Sequence, residues 1–295
     1  MSARVLFVGN RRFVLEEILA LGMPLAGIGV IAGTHLERDI QKGALASAQL
    51  GGLCRRIEGK RQLLSFIRQT PFDILVSNGC PYILPVDELP EARYVNIHPS
   101  FLPDLRGYDP VIGAILYGRD AGATCHIMDC AVDAGEIIAQ VRIPATSDLD
   151  VTTLYQLSFW AEKDVFRQAA ALDFVPQHPQ EDMPDALTYR RSQEDMTIFF
   201  TESNDVILRK VKAYNNRSIG CRFKVGDTFY KVFRAEILHN SYACSVVMRS
   251  AEGTVALSYE NSIVFHKDGQ VLRFMDIVSP DGQCLNVGDV LFFKD

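Results

Sequence analysis

The residues best suited to chemistry lie in the segment from Tyr94 to Gln140. An apolar run there ends in Asn96-Ile97-His98, and alternate residues of a strand project from the same face, so the amide and the imidazole share a face. An amide and an imidazole could stabilise a developing negative charge and move protons. An Asn-x-His sequence alone more often caps a strand, and Asp133, just before Ala134-Gly135, could simply belong to a turn. The neighbouring residues must therefore decide between a structural and a catalytic interpretation.

The elements that would position these side chains alternate between strands and helices. Each predicted strand is almost continuously apolar, which indicates parallel pairing with both faces of the sheet covered. The sequence therefore predicts an α/β fold, a Rossmann-like and mostly parallel sheet with helices on both faces. In such sheets, ligands gather beyond the carboxyl ends of the strands, where Asn96 and His98 lie. The predicted elements are 4–9, 13–21, 26–32, 62–68, 72–76, 94–97, 111–117, 123–128, 136–144 and a long helix at 152–172.

The pattern changes after residue 172. Prolines among polar residues in 173–190 indicate a connecting segment, and beyond residue 196 one helix at 203–214 precedes several short apolar runs. We predict a catalytic domain at 1–175, a linker at 176–195 and a small, barrel-like C-terminal β domain at 196–295. Its predicted strands are 229–233, 244–248, 254–257, 262–266 and 271–274, with hairpin turns at Gly226-Asp227, Glu252-Gly253 and Asp268-Gly269.

Composition narrows the class of protein. The net charge of −6 argues weakly against a polyanion as the main partner. Seven scattered cysteines without a CxxC pair support neither a disulfide framework nor a zinc site, so no metal is expected. No apolar run is long enough to span a bilayer and no signal peptide is recognisable, so we expect a cytoplasmic protein without a membrane partner.

An ordered set of short motifs surrounds the Asn-x-His sequence. His98-Pro99-Ser100-Phe101-Leu102-Pro103 is followed by Arg106-Gly107, by Thr124-x-His126 and by Asp133-Ala134-Gly135. This set resembles the folate-dependent formyltransferase family, which includes glycinamide ribonucleotide transformylase, methionyl-tRNA formyltransferase, formyltetrahydrofolate hydrolase domains and sugar N-formyltransferases. The resemblance is dense over residues 73–155 and diffuse over the rest of the first 190.

The resemblance implies a catalytic set and a reaction. Asn96, His98 and Asp133 match the family's catalytic Asn, His and Asp, and the formyl donor is expected to be 10-formyltetrahydrofolate. Asn96 and His98 would stabilise the oxygen of a tetrahedral intermediate, with His98 as the main acid–base group and Asp133 holding its protonation state. His126 matches a histidine beside that set, although for this residue alone we favour a structural role in its strand.

The resemblance also assigns binding residues. The family's folate slot aligns with Gly79 to Pro85 and with the turn from Asp129 to Gly135, and the turn after the first strand lies near the acceptor. That turn lacks a Gly-x-Gly-x-x-Gly dinucleotide fingerprint. The predicted cofactor-binding residues are Gly79, Pro81, Tyr82, Ile83, Leu84, Asp129 and Val132, and the predicted substrate-binding residues are Asn10, Arg11, Arg12, Ser100 and Arg106.

The acceptor amine is the open question. A nucleotide-linked amino sugar is our preferred acceptor, because the segments 101–110 and 136–140 look closest to those of sugar N-formyltransferases. Arg11, Arg12 or Arg106 could then meet its phosphates. Methionyl-tRNA is the first alternative, since residues 205–223 resemble the opening of that enzyme's C-terminal module. However, residues 190–295 hold 14 Lys plus Arg against 13 Asp plus Glu, and residues 34–50 carry no basic insertion.

Further alternatives stay open at this stage. A hydroxyornithine-type siderophore amine would suit the same chemistry, and water could replace the amine in a 10-formyltetrahydrofolate hydrolase. A folate-binding protein without activity is the alternative from another class, against which the intact catalytic set argues. The family often forms pairs, so a homodimer is one option for the assembly.

Overall fold

The computed structural model describes residues 3–43, 50 and 52–292. The chain divides into two compact units, and each unit is built from three separate stretches of the sequence. Within the described residues, no helix is both long and apolar enough to cross a membrane. The first unit comprises Met1–Pro110, Asp120–Pro144 and Gln156–Tyr189, and the second unit comprises Val111–Arg119, Ala145–Tyr155 and Arg190–Asp295.

A seven-stranded sheet forms the centre of the first unit. Its strand order is β3-β2-β1-β4-β5-β6-β7, and the first four pairings, from β3 to β5, are parallel. The predicted mostly parallel α/β sheet is thus confirmed. The direction of winding reverses between β1 and β4, and ligands bind at such a switch point. The strands are β1 (Val5–Gly9), β2 (Leu25–Ile31), β3 (Cys54–Ile57), β4 (Ile74–Asn78), β5 (Arg93–His98), β6 (Ala121–Ile127) and β7 (Ile137–Ile143).

The last two strands depart from the predicted parallel pairing. β6 runs antiparallel to β5, and β7 runs antiparallel to β6. β6 is almost entirely buried and β7 begins with three buried apolar residues, so both sequences look like those of parallel strands and conceal their direction. We made no prediction for β3, which has four residues, or for the seven-residue helix from His35 to Gln41, because both are too short for a clear periodic pattern.

Helices cover both faces of this sheet, as predicted. Val5 and Phe7 of β1 pack in one apolar cluster with α1 and the later part of α5, whereas Leu6 and Val8 pack in a second cluster with α3. This alternation follows from the period of two in a strand. The helices of the first unit are α1 (Arg12–Ala20), α2 (His35–Gln41), α3 (Lys60–Gln69) and the later part of α5 (Val151–Ala171), with a 3-10 turn at Val86–Glu88. Residues 111–117 of α4 (Pro110–Tyr117) and residues 151–155 of α5 belong to the second unit.

The second unit holds the small C-terminal β sheets that the sequence predicts. A four-stranded antiparallel sheet of order β10-β13-β12-β11 accompanies the β8-β9 hairpin. Phe200 lies at the centre of its core, with ring contacts to Phe223, Phe265 and Phe274. Its elements are α6 (Asn204–Ala213), β8 (Cys221–Val225), β9 (Thr228–Val232), β10 (Arg234–Ile237), α7 (Ser241–Val247), β11 (Leu257–Tyr259), β12 (Ser262–Lys267) and β13 (Gln270–Met275).

Two of the three predicted hairpin turns are confirmed, and two predicted strands differ from the structure. Glu252-Gly253 follows a helix and does not join two adjacent strands, and the predicted strand 254–257 shares only Leu257 with β11. Gly226, and Asp268 with Gly269, have positive φ angles at the β8-β9 and β12-β13 connections, as tight hairpins require. The run 244–248 is not a strand, because it belongs to helix α7. The side chain of Asn240 accepts a hydrogen bond from the backbone N–H of Ala243 and starts this helix.

One glycine sets the end of β1. A Cβ atom on Gly9 would lie 1.9 Å from the backbone oxygen of Asn78, the last residue of β4. We expect Gly9→Ala to lower the free energy of unfolding by roughly 1–3 kcal/mol, because the two strands must separate to admit the methyl group. Urea unfolding measures the change. Gly59→Ala is the matched control, since a Cβ there meets nothing within 4 Å; equal stability of the two variants would contradict this account.

Candidate active site

The pairing of β5 with β6 brings the chemical groups together. Asn96 lies directly opposite His126, and His98 lies opposite Thr124. Asp133 follows β6 in a turn and has a φ of 53°, a left-handed conformation that aspartate tolerates better than most residues. Three elements that are distant in sequence thus meet beyond the carboxyl end of β5.

Asp133 is the centre of this cluster. Its Oδ1 accepts a hydrogen bond from Asn96 Nδ2 at 3.1 Å, and its Oδ2 accepts one from the backbone N–H of Gly107 at 3.1 Å. Oδ2 also lies 3.4 Å from His98 Nδ1, while Oδ1 lies 3.5 Å from His126 Nε2. The structure therefore brings Asn96, His98 and Asp133 together, and it adds His126 to them.

The partner of His98 identifies its titrating nitrogen. Nε2 lies 2.9 Å from the backbone oxygen of Leu105, and a carbonyl can only accept, so Nε2 carries a hydrogen in either charge state. Nδ1, on the side of Asp133, is then the nitrogen that gains and loses a proton. The imidazole is 4% exposed, so its orientation is fixed by these two neighbours.

His126 and Asn96 are coupled in a similar way. His126 Nδ1 lies 2.8 Å from the backbone oxygen of Ile127, which leaves Nε2 of the neutral ring to accept from Asn96 Nδ2 at 3.3 Å. Both amide hydrogens of Asn96 are thus directed to protein groups, Asp133 and His126. The sequence favoured a structural role for His126 in its strand; the antiparallel register also places it in the cluster, and the apolar pattern of β6 did not reveal that register.

Burial and charge set the ionisation of the pair. Burial alone would raise the pKa of the Asp133 carboxyl, but the neighbouring imidazoles of His126 and His98 and the Gly107 N–H outweigh it and lower this pKa to about 2. Burial lowers the pKa of His98 below 6.5, against the opposing effects of Asp133 and the Leu105 carbonyl. An ionised Asp133 beside a neutral His98 follows, which suits a base that accepts a proton.

A glutamine in the predicted linker supports the Asp133 turn. Gln180 Nε2 donates to the backbone oxygens of Asp133 and Gly135 at 2.8 and 2.9 Å. Its Oε1 accepts from Arg106 Nε and Nη2 at 3.2 and 2.6 Å. Arg106, predicted as a substrate contact, therefore braces this turn. Gln180 could not be predicted, because no local sequence pattern marks a surface segment that returns to the site.

Ser100 supports the loop that follows His98. Its hydroxyl donates to the backbone oxygen of Asp104 at 2.8 Å, and its own backbone oxygen accepts from the hydroxyl of Thr124 at 2.8 Å. Ser100 is 1% exposed. It helps to hold the neighbouring Leu105 carbonyl against His98, whereas the sequence predicted it as a substrate contact. Neither Ser100 nor Arg106 is among the residues that line the adjoining pocket.

A pocket of about 380 Å³ opens over the cluster. All predicted cofactor-binding residues line it, together with Asn10, Arg11 and the four residues of the cluster. Ile83 and Val132 are 57% and 50% exposed, which is unusual for aliphatic side chains and provides apolar walls for a ligand. Leu84 is buried and supports the wall from behind. Such an apolar slot beside convergent polar groups has the character of a small-molecule site.

Comparisons with known proteins identify the class. The formyl transferase family model matches residues 33–170, and the model of the formyl transferase C-terminal domain matches residues 190–291. Methionyl-tRNA formyltransferase from Roseiflexus castenholzii is 35% identical over 234 residues, which are 73% of this chain and 74% of that protein. The chain belongs to the formyltransferase family, and it is a formyltransferase of the folate-dependent type.

Solved structures share the fold over nearly the whole chain. WlaRD, a sugar 3N-formyl transferase, has a TM-score of 0.70 at 14% identity, covering 93% of this chain and 98% of its own. The N-formyltransferase from Helicobacter canadensis has a TM-score of 0.68 at 15% identity, covering 93% and 99%. HypX from Aquifex aeolicus has a TM-score of 0.61 at 16% identity; the match covers 95% of this chain but 45% of HypX.

Removal of either acid–base group tests the cluster. We expect His98→Ala and Asp133→Asn to lower kcat by roughly 10²–10⁴-fold, the usual contribution of a positioned acid–base group. Asparagine keeps the shape of aspartate and tolerates the same left-handed backbone, so the fold is expected to persist. Single-turnover formyl transfer and thermal unfolding are the measurements. His178→Ala, at an exposed histidine, is the control; near-normal rates in the cluster variants would remove the assigned roles.

The pH dependence tests which form of His98 works. A base must be neutral, so kcat should rise with pH through the pKa of His98 and become constant near neutrality. The acid limb should lie below pH 6.5, since burial lowers this pKa. Asp133→Asn removes a charge that raises the pKa of His98, so its residual activity should show a limb at still lower pH. A limb above 6.5, or an upward shift in the variant, would contradict the assignment.

Proposed function

We propose that the protein transfers the formyl group of 10-formyltetrahydrofolate to the amine of a nucleotide-linked amino sugar. The observation that carries the proposal is the buried cluster of Asn96, His98 and Asp133 at the end of an apolar pocket. The pocket supplies a place for a flat apolar ring, and the cluster supplies the groups that acyl transfer to nitrogen requires.

The chemistry follows from the positions of the three side chains. The amine nitrogen attacks the formyl carbon, and the carbonyl oxygen acquires negative charge in a tetrahedral intermediate. His98 Nδ1 takes the proton that the nitrogen loses and returns a proton to the folate nitrogen as it leaves, while ionised Asp133 stabilises the imidazolium. The amide of Asn96 meets the negative oxygen by exchanging one of its present partners for it.

The donor fits the slot between two turns. Ile83 and Val132 would contact the faces of the pterin ring, and the backbone of the turn from Asp129 offers hydrogen-bonding groups to its edge. Asp129 Oδ1 accepts from the N–H of Ala131 and stabilises this turn. The folate is a co-substrate, so the chain's own residues bind and orient it and carry out the proton transfers.

A small acceptor is favoured by the second unit. Six cations on and after α6 could form a basic face for tRNA, but five of them have acceptors within that unit. Lys210 donates to the Thr197 backbone oxygen and pairs with Glu202 in a buried position. The others are Arg209 with the Leu116 oxygen, Lys212 with the Ser147 oxygen, Arg222 with the Thr197 hydroxyl and Lys224 with Asp227.

The structural neighbours support the same acceptor class. WlaRD was solved with dTDP and 5-N-formyl-THF, and the Helicobacter canadensis enzyme with folinic acid and dTDP-3-aminofucose. Their similarity to this chain shows a shared fold at low identity, so they support the proposal by analogy.

Methionyl-tRNA is the second candidate, favoured by the 35% identity to the Roseiflexus castenholzii enzyme of that name. Part of the segment 34–50, in which the sequence shows no basic insertion, lies outside the described residues. A tRNA acceptor would need phosphate contacts, which make binding fall steeply with salt.

The acceptor can be determined by a comparison of candidate amines. Purified protein and 10-formyltetrahydrofolate are incubated separately with nucleotide-linked amino sugars, with hydroxyornithine and with unformylated methionyl-tRNA. Products are identified by a mass increase of one formyl unit. We expect formylation of a nucleotide-linked amino sugar and little formate release from donor alone. Exclusive formylation of methionyl-tRNA or of hydroxyornithine would overturn the acceptor, and rapid formate release without an amine would indicate a hydrolase.

A further inference from the structure

A second cavity lies beside the reaction pocket, within the first unit. It has a volume of about 560 Å³ and is lined by the turn after β1, the start of α1, the start of α2 and Phe159 of α5. Asn10 and Arg11 line both cavities, so the two are adjacent at this turn. We call it the side cavity. Its volume is in the range of small-molecule sites, and the formyl-transfer chemistry described above does not use it.

Arg11 stands at the junction of the two cavities. Its guanidinium lies 4.8 Å from the centre of the Phe159 ring, and its side chain is 24% exposed. Nε is 3.5 Å from Glu162 Oε2, an ion-pair distance, and it has no hydrogen-bond partner among the described residues. The group is therefore held from one side and can donate to a ligand from the other.

The residue behind Arg11 is a buried glutamate. Glu162 is 0% exposed and accepts a hydrogen bond from Asn78 Nδ2 at 3.2 Å. Burial raises the pKa of the Glu162 carboxyl, whereas the charge of Arg11 and the polar groups of Asn78 and Ser158 act in the opposite direction. Oε1 of Glu162 and Oδ1 of Asn78 have no hydrogen-bond partner among the described residues. An incompletely satisfied buried carboxyl is costly to stability, so the position of Glu162 beside Arg11 calls for an explanation beyond packing.

The same network reaches the strand of the catalytic residues. Asn78 Nδ2 also donates to the backbone oxygen of Ile97, the residue between Asn96 and His98. The turn that contains Asn10 and Arg11 packs closely against Gly79. A Cβ atom on Gly79 would lie 2.2 Å from Asn10 Oδ1 and 3.3 Å from Arg11 Cγ. Arg11 is thus placed relative to the reaction centre by fixed contacts on two sides.

The side cavity combines an aromatic wall with ion-paired side chains. Phe13 and Phe159 stack at 5.8 Å, and both line it. Arg12 pairs with Glu16 at 2.7 Å and Asp39 at 3.8 Å, so this cation is already engaged by two carboxylates. A planar heterocycle suits such a wall, while the anionic part of a ligand would meet Arg11 at the junction.

We propose that Arg11, positioned by Glu162, binds the diphosphate of the acceptor at the junction, and that the side cavity takes the nucleoside against Phe13 and Phe159. This arrangement leaves the amino sugar in the reaction pocket, next to His98. The inference rests on the proposed function for its acceptor class. It adds Glu162 as a positioning residue, and it assigns Arg11 rather than Arg12 or Arg106 to the phosphates.

Binding of sugar-free nucleotides provides the test. We expect UDP or dTDP to bind the full chain in isothermal titration calorimetry, and Arg11→Gln to weaken that binding about tenfold or more, the loss of one charge-assisted contact. Uridine or thymidine without phosphate should bind weakly, with affinity unchanged by Arg11→Gln. Glu162→Gln should raise KM for the nucleotide-linked acceptor several-fold with kcat little changed. Arg11→Lys should bind the diphosphate more tightly than Arg11→Gln but less tightly than the wild type, because lysine lacks the planar guanidinium.

Glu17→Gln is the matched control, because Glu17 is a 3% exposed glutamate that pairs with Lys163 and Arg167 away from both cavities. Its nucleotide affinity and its KM should match those of the wild type. Equal diphosphate affinity in the wild type and Arg11→Gln would overturn the inference, as would a fall in kcat equal to the rise in KM for Glu162→Gln. If amino sugars are formylated but Arg11→Gln leaves KM unchanged, only the cavity assignment fails; if the acceptor panel yields only tRNA or hydroxyornithine products, the proposed function fails with it.

Discussion

The structure of the site depends on the burial of one carboxylate. Asp133 is 11% exposed in its side chain and is surrounded by Asn96, His98, His126 and the Gly107 N–H. An isolated carboxylate in that position would be protonated or would draw in water, because desolvation strongly disfavours its charge. Four polar neighbours instead keep it ionised. The Leu105 carbonyl determines that Nδ1 of His98 titrates, and the negative charge of Asp133 stabilises the protonated form of that nitrogen and orients the amide of Asn96.

Most of the surrounding hydrogen bonds serve to keep this carboxylate in place. Gln180 fixes the backbone of the Asp133 turn and is itself held by Arg106, while Ser100 and Thr124 fix the loop that presents the Leu105 carbonyl to His98. None of these four side chains needs to touch a substrate to matter. Catalytic groups must be held to within a fraction of an ångström, and that precision comes from the residues around them.

The sequence revealed the part of this arrangement that is local. Period and composition predicted the sheet, most helices and the strand end that carries Asn96 and His98, because those features depend on neighbouring residues. The antiparallel direction of β6 and the return of Gln180 depend on contacts between distant segments, which leave no periodic signal. The contacts of Arg106 and Ser100 could not be predicted either. Their motif is recognisable in the sequence, but only the fold shows that Ser100 bonds protein backbone and that Arg106 bonds Gln180.

The buried network around Arg11 connects the position of the proposed acceptor anchor with the position of the strand that carries His98. Asn78 binds both the Ile97 backbone and Glu162, so the strand that orients His98 also sets the position of Arg11. An acceptor anchored at Arg11 would therefore be bound through the same buried network that includes the strand of the base. That strand is also held by its ladder with β4, whereas Arg11 depends on Glu162. Loss of Glu162 would thus loosen the anchor of the acceptor and leave the base in place, which separates acceptor binding from the chemical step.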